Sequence, residues 1–196
     1  VRAWQGIPDI TVDKAEQVEI LPEAPWEEDI DLANHIVNVK LTELVNSGSR
    51  VGISTSGTVV SVREDSGVIM RCVECRRVTR DGECNFAGCV GKIETQQDVR
   101  LRLVIDNGDV TASVLINKDA ALKLINTTEE KMAADIKNDG QMEYVQSIRD
   151  YLLGRELNVG GRTIVDEQGA MILVDSAELS NSDAAMLATE VRSEWG

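Results

Sequence analysis

Apolar and β-branched residues occur in five short runs, and this pattern predicts a chain built mainly of strands. The runs lie at 57–63, 99–105, 110–116, 157–165 and 171–179, with turn-forming residues between them. The stretch 31–45 is ambiguous, because its apolar residues fit either a strand or one face of a helix. Gly160-Gly161 interrupts the fourth run and predicts a β-bulge at that point.

The second and third runs are joined through Asn107-Gly108, which predicts a β-hairpin with a two-residue turn. With these residues as the turn, Ile105 lies opposite Val110, and the apolar residues of both strands form one buried face. Arg100 and Arg102 then lie on the other, exposed face. A shift by one residue would mix the two faces, so the pattern specifies which side chains are buried.

The apolar spacing becomes helical between the third run and the fourth. Asn117 is placed to cap a first helix, and Thr127 with Glu130 has the pattern of a capping box for a second. Residues 142–152 predict a third helix, which Gly154 ends. We therefore expect three short helices in this connection.

Both ends of the chain differ from the central part, which we expect to form one domain at 31–179. Residues 1–30 contain all three prolines and an acidic run, and they predict a linker or the tail of a preceding domain. The chain begins with Val1, so we expect a fragment of a longer protein. Residues 180–196 predict an amphipathic helix that packs against partners, copies of the chain or its own domain. Its apolar stripe consists of Ala184, Leu187, Ala188, Val191 and Trp195.

The net charge of −14 is distributed unevenly along the 196 residues. Residues 1–50 carry −6 and residues 118–196 carry −7, whereas residues 51–117 carry only −1. Such an acidic chain does not coat nucleic acid by overall charge. Its cations nevertheless concentrate around the cysteines, where a local basic surface is expected. The acidic remainder fits either a high-salt cytoplasm or simple solubility.

All four cysteines fall within 18 residues, as the pairs Cys72 with Cys75 and Cys84 with Cys89. Two thiolates on one tight turn reach the same ion, and a second pair completes a closed four-thiolate shell. The pattern predicts one structural Zn²⁺, held in an insert at about 68–93. The alternatives are a redox CxxC pair and two disulfides. Two knuckles joined by a short polar loop favour zinc over both.

The sequence has few of the features that catalysis needs. His35 is the only histidine, so a serine or cysteine triad has no base. The H-x-E and P-C-x-x-C elements of zinc deaminases are missing, as is a phosphate-binding glycine loop. No apolar run reaches the roughly 20 residues that cross a bilayer. We expect a protein that is not an enzyme, has no membrane partner and is cytoplasmic, where thiols stay reduced.

The order of elements is a strand, the cysteine insert, two hairpin strands, helices and two closing strands. It predicts a five-stranded Greek-key barrel, the OB-fold, with an inserted four-cysteine zinc ribbon and a C-terminal helix. Over roughly residues 36–179, the chain resembles the zinc-containing C-terminal OB-fold domain of archaeal replication protein A. The stretches that carry this resemblance are 57–62, the cysteine insert, 99–108, 154–161 and 172–175. Residues 1–28 are similar to the closing part of a preceding OB-fold.

The resemblance implies binding of single-stranded DNA without strict sequence preference, in DNA replication, repair and recombination. It also implies assembly with other replication protein A subunits, or with copies of the chain, through the C-terminal helix. Two alternatives stay open. One is an assembly subunit with little DNA contact of its own, and the other is an RNA-binding zinc OB-fold protein.

Proteins that bind single strands combine a basic groove with side chains that stack on bases. The candidates for these roles are Arg63, Arg71, Arg76, Arg77, Arg80, Phe86, Arg100 and Arg102. The arginines around the cysteines have a second explanation, because a zinc ion with four thiolates carries a charge of −2 that cations neutralise. The three clearest predicted strands, 57–63, 99–105 and 110–116, contain no aromatic residue, so arginine planes would take over part of the stacking.

Overall fold

The computed structural model describes residues 2–4, 7–9, 11–23, 36–79, 82–89, 94–166, 169–180 and 192–193. Near the N-terminus, β1 (Arg2–Trp4) pairs with β2 (Ile7–Asp9), and a 3-10 turn follows at Ala15–Gln17. The other strands are β3 (Val37–Asn38), β4 (Ile53–Val62), β5 (Gly67–Cys72), β6 (Thr95–Asp106), β7 (Thr111–Ile116), β8 (Glu156–Asp166) and β9 (Gly169–Leu179). The helices are α1 (Leu41–Asn46), α2 (Lys118–Leu124), α3 (Glu129–Asp139) and α4 (Gln141–Leu152).

The pairings of β4, β8, β9, β7 and β6 form a closed ring. In that order each strand pairs with the next, and β6 pairs with β4 again. All of these pairs are antiparallel except β7 with β9, which is parallel. β5 extends the sheet outward from β6, and β3 adds to β4 in parallel. The structure therefore confirms a mainly β chain with a ring of strands and helices between them.

The apolar core fills the inside of the ring. Inward-facing residues alternate with outward-facing ones along the strands, as in Leu101, Leu103 and Ile105 of β6. The helices contribute to the same core, since Leu44 of α1, Met132 of α3 and Leu152 of α4 are buried within it. None of the helices in the described ranges combines the length and apolarity that crossing a bilayer requires.

The hairpin between β6 and β7 has the predicted faces but not the predicted turn. Ile105 pairs with Ala112 rather than Val110, so the register differs by two residues and the loop contains Asn107–Val110. The Asn107 side chain accepts hydrogen bonds from the backbone N–H groups of Asp109 and Val110 at 3.2 and 3.1 Å. These bonds stabilise a wider loop in which only Gly108 has a positive φ, of 94°. A shift by two preserves the faces, because side chains alternate with a period of two.

The ambiguous stretch and the helix starts are also settled by local structure. Within 31–45, the described residues form both elements, the short strand β3 and then helix α1. Asn117 caps α2 as predicted, since its side chain accepts from the N–H of Ala120. The cap of α3 is Thr128, not Thr127: Thr128 Oγ1 accepts from the N–H of Lys131 at 3.2 Å. Only Thr127 has the capping-box spacing to Glu130, but threonine is a suitable N-cap residue at either position, and the backbone begins the helix one residue later.

The predicted bulge at Gly160-Gly161 is confirmed by a register shift between β8 and β9. At this point the neighbouring strand comes so close that side chains have no room. A Cβ atom on Gly160 would lie 2.6 Å from Ser176 Oγ, and one on Gly161 would overlap the backbone carbonyl of Leu173. The bulge therefore depends on glycine for close packing between strands.

We predict that Gly161→Ala destabilises the fold by at least about 2 kcal/mol, because a backbone carbonyl cannot move aside as a flexible side chain would. Urea denaturation followed by circular dichroism measures this change as a lower midpoint with an unchanged slope. Gly48→Ala is the matched control, since a Cβ there has no atom within 4 Å. Its effect should stay within about 0.5 kcal/mol. Equal midpoints for the two variants would contradict the steric argument.

Candidate functional site

The four cysteines come together at the outer end of β5. Cys72 is the last residue of this strand, and the turn that follows brings Cys75 back towards it. The N–H of Arg76 donates to the carbonyl of Cys72 at 3.0 Å, and Arg76 adopts a left-handed φ of 60°. The Sγ atoms of Cys72, Cys75, Cys84 and Cys89 all lie within 4.8 Å of one another.

The spacing of these sulfur atoms fits one tetrahedral metal ion. Cys72 Sγ lies 3.7 Å from Cys89 Sγ, and Cys75 Sγ lies 3.5 Å from Cys84 Sγ. Four thiolates at about 2.3 Å from a central zinc would be separated by about 3.8 Å. A disulfide requires about 2.05 Å, and none of the four cysteines forms one. The donor set therefore suits a closed, thiolate-coordinated ion.

Backbone donors in this module, residues 72–89, favour ionised sulfur. The N–H groups of Cys75 and then Glu74 hydrogen-bond the Cys72 sulfur and, against the effect of burial, lower its pKa to about 7. The N–H of Phe86 acts in the same direction on Cys84. There, the neighbouring Cys75 thiol and burial outweigh it and raise the Cys84 pKa. If all four thiols were ionised, the negative thiolates would repel one another, and a bound metal ion would offset that repulsion.

Two arginines in or next to the cysteine module make local side-chain contacts. Arg71 forms an ion pair with Asp98 and donates from Nη1 to the carbonyl of Arg76 at 3.0 Å. The guanidinium of Arg77 lies over the ring of Phe86, 3.4 Å from its centroid. This contact is a cation–π pair at the protein surface, since Phe86 is 40% exposed. Arg80 lies outside the described residues.

A second cluster of arginines lies on the outer surface of β6, β7, β9 and β8. Strand pairing lines up Arg102, Leu115, Leu173 and Arg162 as one row across these strands. Two hollows share this surface, with volumes of about 180 and 430 Å³. We call it the arginine face, and its arginines are Arg63, Arg71, Arg100, Arg102 and Arg162.

The arginine face has an apolar floor between its charged groups. Leu115, Met171 and Leu173 line the hollows together with the polar residues Ser113 and Asn117, and the acidic residue Asp175 also lines the larger hollow. Among the residues lining these two hollows there is no aromatic side chain. The surface thus offers guanidinium groups around a strip of aliphatic contact.

Asp65 is the carboxylate in direct contact with the centre of this face. Its Oδ2 accepts from Nη2 of Arg100 at 2.6 Å and from Nη1 of Arg102 at 2.7 Å. Burial alone would raise the Asp65 pKa, but the hydrogen bond and charge of Arg102, with the charge of Arg100, lower it below its usual value. Burial lowers the pKa of Arg100, yet a guanidinium stays charged at neutral pH.

The structure brings some of the predicted residues together and separates others. Arg63, Arg71, Arg100 and Arg102 share the arginine face, whereas Arg76, Arg77 and Phe86 line neither hollow. The five residues of the predicted C-terminal stripe, Ala184, Leu187, Ala188, Val191 and Trp195, lie outside the described residues.

Sequence reasoning did not identify Arg162, Leu115, Met171 or Leu173 as part of this face. The alternation along each strand marks these side chains as outward-facing. On β9, for example, Met171 and Leu173 alternate with the buried residues Ile172 and Val174. The alternation does not reveal that β7 and β9 pair in parallel. This pairing brings the outward-facing residues of β9 close to the arginines of β6.

Comparison with known proteins shows a shared fold and no closer relationship. No protein-family model matches the chain, and no curated protein sequence matches it. The chain is similar to a replication protein A heterotrimer bound to single-stranded DNA, with a TM-score of 0.51 and 11% sequence identity. The match covers 80% of this chain and 39% of that one, so this chain spans about two fifths of its length.

Two further similarities have TM-scores below the level that shows a common fold. Yeast RPA bound to single-stranded DNA gives 0.43 at 15% identity, covering 72% of this chain and 85% of that one. The S. pombe Stn1-Ten1 complex gives 0.31 at 10% identity, covering 71% of this chain and 65% of that one.

We predict that Asp65→Asn reduces the loss of stability at acid pH. The folded-state pKa of Asp65 is depressed, so its contribution is present above the unfolded-state pKa and is lost as the pH falls through the folded-state value. For a half-exposed pair the contribution is below about 1 kcal/mol. Urea midpoints at pH 6 and pH 3 measure the difference between wild type and variant. An equal pH dependence in both proteins would contradict the ion pair.

Proposed function

We propose that this chain is an OB-fold protein that binds single-stranded DNA through the arginine face. The observation that carries the proposal is the row from Arg102 to Arg162, because it sets cations on both sides of an aliphatic strip on one continuous surface. In OB-folds, oligonucleotides bind on the face of the second and third barrel strands. Along the chain the strands of the ring are β4, β6, β7, β8 and β9, so the second and third are β6 and β7.

Charge and shape on this face suit a flexible polyanion. Guanidinium groups bind phosphates through several N–H donors at once, while the apolar floor contacts bases without distinguishing them by hydrogen bonds. Bases that stack on proteins usually meet aromatic rings, and arginine planes with Leu115 and Leu173 would supply that contact here. We infer binding with little sequence preference and with affinity that falls steeply as salt rises.

The similarity to a replication protein A heterotrimer supports the same proposal at the level of the fold. Roles in DNA replication, repair and recombination, and assembly through residues 180–196, remain part of the proposal. Membership of the archaeal, zinc-containing subgroup of replication protein A, which the sequence resembles, is also part of the proposal. The domain limits at 31–179 and 180–196, with residues 1–30 as a linker or tail, are proposed on the sequence pattern.

We also propose that the cysteine module holds one structural zinc ion. Cys72, Cys75, Cys84 and Cys89 would be its ligands, and their sulfur spacing supports this assignment. Four protein ligands leave no position for a substrate, so the ion would fold the module rather than react. Held in this way, the module would keep Arg76 and Arg77 at a constant position beside β5.

We predict one zinc ion per chain in protein purified under reducing conditions. Cys72→Ser and Cys84→Ser should each reduce the bound zinc to less than half an equivalent, because folding of such modules is coupled to metal binding. Elemental analysis measures the content, and cobalt substitution should give the visible absorption of tetrahedral thiolate coordination. Glu83→Gln is the control, since it removes a neighbouring carboxylate and should retain the metal. Full zinc content in both serine variants would exclude this ligand set.

We predict that the double variant Arg100→Ala with Arg102→Ala weakens binding to a dT oligonucleotide. On a plot of the logarithm of the binding constant against the logarithm of the salt concentration, two lost phosphate contacts should make the slope less steep by about 1.4. Each contact with a single strand contributes about 0.7 to this slope. Fluorescence anisotropy over a salt series measures both quantities, and duplex DNA and single-stranded RNA of equal length test the alternatives.

The matched control for that experiment is Lys137→Ala with Arg155→Ala. It removes the same charge from two exposed positions, neither of which is among the residues that line the hollows. We expect a change of less than about twofold from this control, since charges beyond the Debye length are screened. Equal losses in both double variants would exclude the arginine face as the site. Tighter binding to RNA than to DNA would favour the RNA-binding alternative.

A further inference from the structure

The turn between β4 and β5 holds one carboxylate against the two central arginines of the arginine face. Asp65 uses one carboxylate oxygen, Oδ2, to accept from both Arg100 and Arg102, and its backbone carbonyl accepts from Nε of Arg100 at 3.5 Å. The side chain of Arg100 is 15% exposed, and those of Arg102 and Asp65 are 41% and 43% exposed. The contact is therefore accessible from solvent, and it occupies N–H donors that a phosphate would need.

The backbone on either side of Asp65 is held firmly in place. Ser66 is buried, and its Oγ accepts from the N–H of Arg102 at 2.9 Å and donates to the Arg102 carbonyl at 3.2 Å. Gln141 Nε2 donates to the carbonyl of Ser66 at 2.7 Å, and the N–H of Ser66 donates to the carbonyl of Arg63 at 3.1 Å. The turn is thus anchored to β6 and α4, while the Asp65 carboxylate can rotate away without opening it.

We propose that Asp65 is an internal competitor of the nucleic acid, whose carboxylate must leave Arg100 and Arg102 before phosphates bind them. A carboxylate and a phosphate accept from the same guanidinium donors, so the two exclude each other at a shared N–H group. The carboxylate also reduces the charge of this cluster from +2 to +1. Asp65 would therefore set the affinity of the face below what its arginines alone would give. This inference rests on the proposed function.

The opposite role for Asp65 makes a distinguishable prediction. A carboxylate that orients two guanidinium groups for a ligand would be needed for tight binding, and its removal would weaken the complex. The accessibility of the contact argues for competition, because Asp65 and Arg102 are both partly exposed and a phosphate can reach the donors that Asp65 occupies.

The decisive experiment measures anisotropy of a labelled dT oligonucleotide with wild type, Asp65→Asn and Glu64→Gln. Asp65→Asn should tighten binding roughly twofold to fivefold at low salt, in line with the strength of an exposed ion pair. The gain should shrink as salt rises. Glu64→Gln removes the same unit of charge from the adjacent turn position, but no hydrogen bond of Arg100 or Arg102 ends on Glu64, so its gain should be clearly smaller, less than about twofold. Zinc content and urea midpoints verify that each variant is folded.

Adding Asp65→Asn to the Arg100→Ala, Arg102→Ala variant completes a mutant cycle, and no gain is expected there. Weaker binding or no change in Asp65→Asn overturns the competition, as does an equal gain in Glu64→Gln. If wild type binds through the arginines while Asp65→Asn is neutral, this inference alone fails. If neither wild type nor Asp65→Asn binds the oligonucleotide at low salt, the proposed function fails and the competition with it.

Discussion

The structure depends on one strand, β4, that pairs with two different neighbours. Its first half, Ile53–Thr58, pairs with β8, and its second half, from Thr58 to Val62, pairs with β6. The change of partner occurs beside Gly57, where a Cβ atom would lie 3.1 Å from Ile105 Cβ and from the Asp106 carbonyl. A register shift between Val59 and Ser61 bends the strand further. Without this change of partner, the strands of the ring would form an open sheet with β4 at one edge.

Closure of the ring assigns the two faces of every strand to different tasks. Residues that point inward form one core, and outward residues of β6, β7, β9 and β8 become neighbours on a single surface. A short turn connects β4 to β5, and β5 pairs with β6. Because β6 carries Arg100 and Arg102, this turn brings Asp65 into contact with both arginines. β5 also carries Cys72 to the outer end of the sheet, where the cysteine module projects.

The tertiary structure explains how an acidic chain carries a local cluster of arginines. A protein with a net charge of −14 still presents five arginines around two hollows. Asp98 and Asp65 pair with three of these arginines, and pairing of this kind reduces self-repulsion before any ligand is bound. Such a surface can exchange one acceptor for another, since carboxylate and phosphate make the same type of hydrogen bond with a guanidinium.

The sequence by itself determined the features that depend on short spacing. Alternation along β6 decided that Leu101, Leu103 and Ile105 are buried and that the arginines between them are not. The reason is that successive side chains of a strand point to opposite faces of the sheet. The spacing of the cysteines likewise indicated that their four sulfur atoms would meet, since each pair is close along the chain. The glycine pair at the bulge was recognisable for the same local reason.

Only the tertiary structure decided the features that depend on which strands are neighbours. The hairpin register shifted by two residues because the Asn107 side chain bonds the loop backbone, and both registers satisfy the same alternation. Arg162 and Leu173 joined the arginine face because β9, which forms a local pair with β8, also pairs with β7, a strand distant in sequence. Asp65 reached its arginines across 35 and 37 residues of chain. Local patterns specify which way a side chain points, whereas its neighbours are specified by ring closure, which depends on contacts distant in sequence.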